Sequence, residues 1–155
     1  MPLDRKTGFR RRKSVMKWKK DQLEISTQGK GLYPFTNLVN NLIQEWAVEE
    51  GMCYLYMPHT SASLVVSESY DPTAKIDLEE FMERIVPENQ SWFRHTFEGS
   101  DDSPSHMRAM LTHTSLSIPI DNGNLSIGTW QGLYLFEHRS RPHRRKVLIR
   151  CLSID

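Results

Sequence analysis

Residues 95–106, HTFEGSDDSPSH, gather two histidines, Glu98, Asp101 and Asp102 around one glycine. Ser103-Pro104 is a helix-start signal, so His106 falls near a helix N-terminus, where the backbone dipole disfavours an imidazolium. A neutral imidazole there can accept a proton or bind a metal, and Asp102 is close enough to orient its second nitrogen. The run also reads as an acidic capping loop with a half-exposed histidine. His59-Thr60-Ser61 follows Pro58 at the mouth of an apolar stretch, as either a surface turn or a set of groups able to orient a phosphate or a ring nitrogen. Glu68 ends that stretch; an inward carboxylate there needs a cation or hydrogen-bond donors, because unpaired burial costs several kcal/mol.

Further along, Gly128-Thr-Trp-Gln-Gly132 sits between two apolar runs. Such glycines permit a bulge or the close approach of another backbone. Trp130 supplies a flat apolar wall and Gln131 both a donor and an acceptor, a pairing suited to a planar heteroaromatic ring. Glu137 shares a strand face with Leu133 and Leu135, whereas Tyr134, Phe136 and His138 share the other. Residues 139–146 form a basic turn whose Arg144 and Arg145 could grip phosphate, or which is simply solvated. His113 and His138 read as surface or packing histidines. The phosphate loop GxxxxGK[ST], GxGxxG after a strand, HExxH, GxSxG and CxxC are all absent, which leaves the common nucleotide, zincin, serine-hydrolase and zinc-ribbon classes without their signals.

These residues need elements to hold them. Residues 1–13 read as a disordered basic arm and 14–155 as one domain. Alternating Met16, Trp18, Leu23 and Ile25, with Lys20-Asp21-Gln22 between them, suggests a strand pair. Thr36 can cap a helix with Leu38, Leu42, Ile43, Trp46 and Ala47 on its apolar face, ending at Gly51. A buried strand over 52–57 and an extended run over 60–67 follow. Asp71-Pro72 opens a second helix whose inward face is Ile76, Phe81, Met82 and Ile85, and Ser103-Pro104 opens a short third one. The period then becomes that of strands, over 115–120, 125–130, 132–138 and 146–152, with DNGN as a turn. Hairpin-linked strands with helices between them predict an α+β domain, a largely antiparallel sheet with helices packed on it.

The chain has 155 residues, of ordinary globular composition, and a net charge of +1. That charge is uneven. Residues 1–20 hold nine Lys/Arg against Asp4, leaving the rest at 11 basic and 18 acidic, or −7. The arm is therefore the one segment expected to meet nucleic acid or an anionic surface. No apolar run approaches the roughly 20 residues that cross a bilayer, and no apolar stretch follows the N-terminal basic residues as in a secretory signal. Cys53 and Cys151 lie in apolar strand segments and are expected as buried thiols, which fits a cytoplasmic location.

HTSASL (59–64), the spacing from Glu68 to Asp71-Pro72, DLEEF (77–81), EGSDD with SPSH (98–106), SLSIPI (115–120) and GTWQGLYLFEHR (128–139) resemble the YjbQ-like family. Ser67, Ser69 and Tyr70 depart from the family's usual pattern beside Glu68. The resemblance implies a homotrimer with sites near subunit contacts, and the label secondary thiamine-phosphate synthase, which joins a pyrimidine pyrophosphate to a thiazole phosphate. It draws attention to His59, Glu68, Asp71, His95, Asp102, His106, Gln131 and Glu137. The expected site gives catalytic roles to His59, Glu68, Asp102, His106 and Glu137. It gives substrate contacts to Thr60, Ser61, Asp71, Trp130, Gln131, Arg144 and Arg145, and metal ligation to His59, His95 and His106. Magnesium or zinc would be the metal, and a small phosphorylated molecule the substrate. Two rivals use the same residues: a metal-dependent hydrolase of a small phosphate-containing substrate, and a non-catalytic trimeric metabolite-binding protein. All three require the polar side chains to converge in one pocket at the rim of a sheet.

Overall fold

The computed structural model describes Lys13 and residues 15–155, so the expected arm, apart from Lys13, lies outside the described residues. The elements run β1 (Lys17–Thr27), β2 (Gly31–Pro34), α1 (Thr36–Glu45), β3 (Gly51–Tyr56), β4 (Ala62–Glu68), α2 (Pro72–Ile85), α3 (Asp102–Leu111), β5 (Ser115–Asp121), β6 (Asn124–Leu125), β7 (Gln131–Glu137) and β8 (His143–Ser153). The fold is α+β, as expected, but the strands divide between two antiparallel sheets. One has the order β1-β8-β3-β5-β6 and the other β2-β7-β4.

Alternation explains the layers. On the five-stranded sheet Ile25, Cys53, Leu55, Ile118, Ile120, Val147, Ile149 and Cys151 point inward. They meet Leu64, Leu133 and Leu135 of the three-stranded sheet, with Val39 and Ile43 of α1 in the same core. The opposite face of the three-stranded sheet, through Leu32, Tyr134 and Phe136, packs on Met82 and Val86 at the C-terminal half of α2, with Met107 of α3 against it. Residues 132–137 of β7 are accordingly buried on both faces. Among the described residues, no helix covers the outer face of the five-stranded sheet.

Several local expectations are corrected. Lys17–Thr27 is one eleven-residue strand, since each residue pairs with β8 from Lys17↔Ser153 to Thr27↔His143, and Asp21 pairs with Ile149 where a turn was expected. The Thr36 hydroxyl does not cap α1; it accepts from the Leu133 amide at 2.8 Å. Gly51 belongs to β3 and not to the end of α1; a Cβ there would lie 1.9 Å from the Leu152 carbonyl oxygen. Tyr54 and Tyr56 are exposed, so β3 is buried on one face only. Ile76, Phe81 and Ile85 of α2 face outward, leaving Met82 as its buried residue. The expected strand over 125–130 stops at Leu125, because the chain turns there to cross to the second sheet. His143 to Lys146, expected in a basic turn, begin β8. The Asp71-Pro72 start holds: the Asp71 carboxylate accepts from the Thr73 amide at 2.9 Å and from the Thr73 hydroxyl at 2.7 Å, and the hydroxyl first, then the amide, lowers its pKa.

Candidate metal centre and its cavity

Three elements converge at the Ala62 end of β4. The 57–61 connection brings His59 and Thr60, α3 brings Asp102 and His106, and the loop before α3 brings His95. A cavity of about 910 Å³ is lined by His59, Thr60, His95, Ser103 and His106, with Met107 and Met110 as apolar wall. Asp102 and His106 are four residues apart on one helix, hence on one face.

The hydrogen bonds fix which atoms are available. His106 Nδ1 lies 2.8 Å from the Thr60 carbonyl oxygen, which can only accept, so Nδ1 carries the proton of the neutral ring, whose Nε2 then presents a lone pair. That lone pair faces Asp102 Oδ1 at 3.4 Å. Asp102 is 2% exposed. Its Oδ1 accepts from the Arg139 guanidinium, which also binds Asp101 and the Glu98 carbonyl. Its Oδ2 comes within 2.7 Å of His95 Nε2, but off the line of a hydrogen bond, and has no donor. A buried carboxylate oxygen without a partner is costly. His95, Asp102 and His106 thus offer three donor atoms within 4.8 Å of one another. Tetrahedral ligands about 2.0–2.2 Å from zinc stand roughly 3.3 Å apart, and His95, on an exposed loop, can close the remaining gap. A two-imidazole, one-carboxylate set with an unpartnered buried oxygen fits a transition metal better than magnesium, which prefers oxygen.

His59 shares the cavity but not the donor cluster. The Lys146 amide donates to its Nε2 at 2.9 Å, which leaves Nδ1–H as its free group. Burial, followed by the nearby Arg145 charge, lowers its pKa and favours the neutral ring.

Glu137 and Arg145 are spent on one another. Glu137 is fully buried and accepts from Arg145 through both carboxylate oxygens, from Thr27 at 2.8 Å, and from the His138 and Arg139 amides. Arg145 also binds Ser61 Oγ at 2.9 Å. Arg144 points away and pairs with Glu24 at 2.6 Å.

A second group lies elsewhere. Glu68 accepts from the Tyr70 and Asp71 amides, Gln131 accepts from the Gly128 amide, and Trp130 packs edge-on to Tyr70 at 4.6 Å between ring centroids. The register Ala62↔Glu137 to Glu68↔Gln131 sets these residues at the far end of the β4–β7 ladder, about 20 Å from the histidines at 3.3 Å per residue. Within one chain, then, the expected residues form two groups and do not share one pocket.

A family model described as UPF0047 protein YjbQ-like matches residues 21–153. The chain belongs to this family. It is 47% identical over 127 residues to a UPF0047 protein of Synechocystis sp., covering 82% of this chain and 86% of that one. It is 38% identical over 132 residues to the YjbQ protein of Escherichia coli O157:H7, covering 84% and 95%. Among solved structures, a YjbQ/UPF0047 protein of Clostridium acetobutylicum superposes with a TM-score of 0.76 at 32% identity, covering 84% of this chain and 98% of that one. A YjbQ-like protein of Sulfolobus solfataricus reaches 0.81 at 21% identity, covering 90% and 99%, a likeness of fold alone. Among the described residues no helix is long and apolar enough to cross a membrane.

In this YjbQ-like chain, sequence reasoning passed over Arg139, which it counted only as part of the basic turn. The signal was present in its place directly after Glu137-His138 at a strand end, but the Asp101–Asp102 partners lie 37 and 38 residues away in sequence. His138 is buried, with Nε2 2.8 Å from Ser63 Oγ. Burial, then the charges of Arg108 and Arg145, push its pKa down to about 3.

Proposed function

We propose that His95, Asp102 and His106 form a divalent transition-metal centre that serves hydrolysis at a small phosphate-containing substrate held in the adjoining cavity. The single observation behind this reading is the buried Asp102 Oδ2, which has no hydrogen-bond donor while two imidazole nitrogens stand beside it. A bound ion of this kind polarises a phosphoryl oxygen and lowers the pKa of water. The chain's own residues do the rest. Thr60 holds the His106 tautomer, Arg139 fixes Asp102 through Oδ1 and leaves Oδ2 directed at the centre, and Met107 and Met110 line the apolar side of the cavity. His59, neutral with Nδ1–H free, donates a hydrogen bond to an oxyanion in the cavity.

The thiamine-phosphate synthase reading is less well supported, since its ring-binding pair Trp130 and Gln131 stands about a strand's length from the histidines. The exposed Ile76, Phe81 and Ile85 of α2 support a homo-oligomer, and a trimer remains the assembly proposed here.

Zinc titration into chelator-treated protein by calorimetry is the test, with a phosphomonoester assay alongside. One ion per chain is expected, with binding weakened on the order of 100-fold or more in His106→Ala and Asp102→Asn, and phosphate release lost in both, while the melting temperature of His106→Ala stays near the parent's. Unchanged zinc affinity in both variants removes the centre.

A further inference from the structure

The outer face of the five-stranded sheet, uncovered among the described residues, has a composition of its own. Alternation turns Trp18, Lys20, Gln22 and Glu24 of β1 outward, with Arg144, Lys146, Leu148, Arg150 and Leu152 of β8, and Tyr54 and Tyr56 of β3. Register sets them in rows: Trp18 beside Leu152 and Met52, Lys20 beside Arg150 and Tyr54, Gln22 beside Leu148 and Tyr56. Across these three strands four cations face out against one carboxylate, Glu24, which Arg144 already holds, and β5 adds Asp121 toward the far edge of the face. The face, +2 in all, stands on a chain whose residues 21–155 sum to −7.

Aromatic rings run between the charges. Trp18 and Tyr54 lie 6.3 Å apart, tilted by 38°, and Trp18 and Tyr56 are 58% and 50% exposed. Tyr56, two residues beyond Tyr54 on the same face, also lines the histidine cavity. The Lys146 amide holds His59 at the same edge.

We propose that this face binds a single-stranded polynucleotide, its bases stacked on Trp18, Tyr54 and Tyr56 and its phosphates on Lys20, Lys146 and Arg150, with the strand leading toward the histidine cavity. Stacking rings interleaved with cations are what a sequence-tolerant single-strand platform requires. A face-to-face pairing with a second copy would set four cations against four, which favours an anionic occupant. Delivery of a phosphate to the cavity rests on the metal-centre reading; binding to the face does not.

The test uses the full chain and fluorescence anisotropy of an end-labelled twelve-residue oligothymidylate, with inorganic polyphosphate of matching charge as competitor. Binding is expected at low salt. Trp18→Ala and Tyr54→Ala should each weaken it about tenfold. Lys20→Ala should reduce the salt-dependence slope by about 0.7, one phosphate contact on a single strand. Polyphosphate should compete at least about tenfold more weakly than unlabelled oligothymidylate. Absence of binding overturns the proposal. So does equal competition by polyphosphate, which would make the face a charge patch alone. So does a Trp18→Ala variant that changes sedimentation mass but not oligonucleotide affinity, which would make the face a contact between copies. Zinc binding without oligonucleotide binding sinks this inference and leaves the metal centre standing; the reverse result does the opposite.

Discussion

At the scale of single residues, two buried polar groups separate structural from chemical roles. Glu137 and Arg145 are charges of opposite sign held out of water with their hydrogen bonds filled. Removing one partner leaves the other buried and uncompensated. Glu137→Gln should therefore cost about 3 kcal/mol in urea denaturation, while zinc affinity stays within about threefold of the parent, because Glu137 is not among the clustered donors. A large loss of zinc binding with full stability would return Glu137 to the site. His138 gives a pH signature. Unfolded, its imidazole takes up a proton near pH 6.5; folded, it stays neutral down to about 3. The unfolded state thus binds more protons across that window, and stability falls as the pH drops. His59, also shifted down, acts in the same direction. Between pH 7 and 5.5, before carboxylates titrate, the parent should lose stability more steeply than His138→Gln, measured by urea midpoints at each pH. Equal slopes would mean that His138 is protonated in the folded chain.

At the scale of elements, the start of β7 shows how tightly the chain leaving β4 packs against it. A Cβ on Gly132 would stand 2.7 Å from Ser69 Cβ and 3.0 Å from its Oγ. Gly132→Ala should cost about 1–3 kcal/mol by overpacking, read as a lowered denaturation midpoint, and Ser69→Gly in the same chain should recover part of the loss. No recovery would place the strain elsewhere. The glycines of GTWQG were legible as a close approach; the partner across from them was not, because nothing local in the sequence specifies it. The Asp71-Pro72 start was legible for the opposite reason, since a cap and its amide lie two residues apart. The inward face assigned to α2 was misread: at about 3.6 residues per turn Ile76 and Ile85 lie on opposite sides of the helix, and of the four residues only Met82 is buried. Periodicity reports that a stripe seeks cover, not whether the same chain provides it.

For the whole molecule, the outward Ile76, Phe81 and Ile85 and the separation of the two polar groups argue for assembly. Sedimentation of the full chain should give a trimer, and deletion of residues 1–13 should leave both that mass and zinc affinity unchanged, because β1 begins at Lys17. Collapse to monomers on deletion would make the arm part of the assembly. Composition, alternation and the Asp-Pro and Ser-Pro signals determined an α+β chain with mainly antiparallel strands, and the dense polar run at 95–106 marked where chemistry could lie. Only tertiary structure decided that the strands form two sheets, that Arg145 is consumed by Glu137, and that Asp102 receives Arg139 on one oxygen and no hydrogen bond on the other. Propensity and capping act over a few residues, so a sequence states them directly. Register, ion pairing and an orphaned oxygen depend on groups tens of residues apart, which meet only once the sheets have closed on their core.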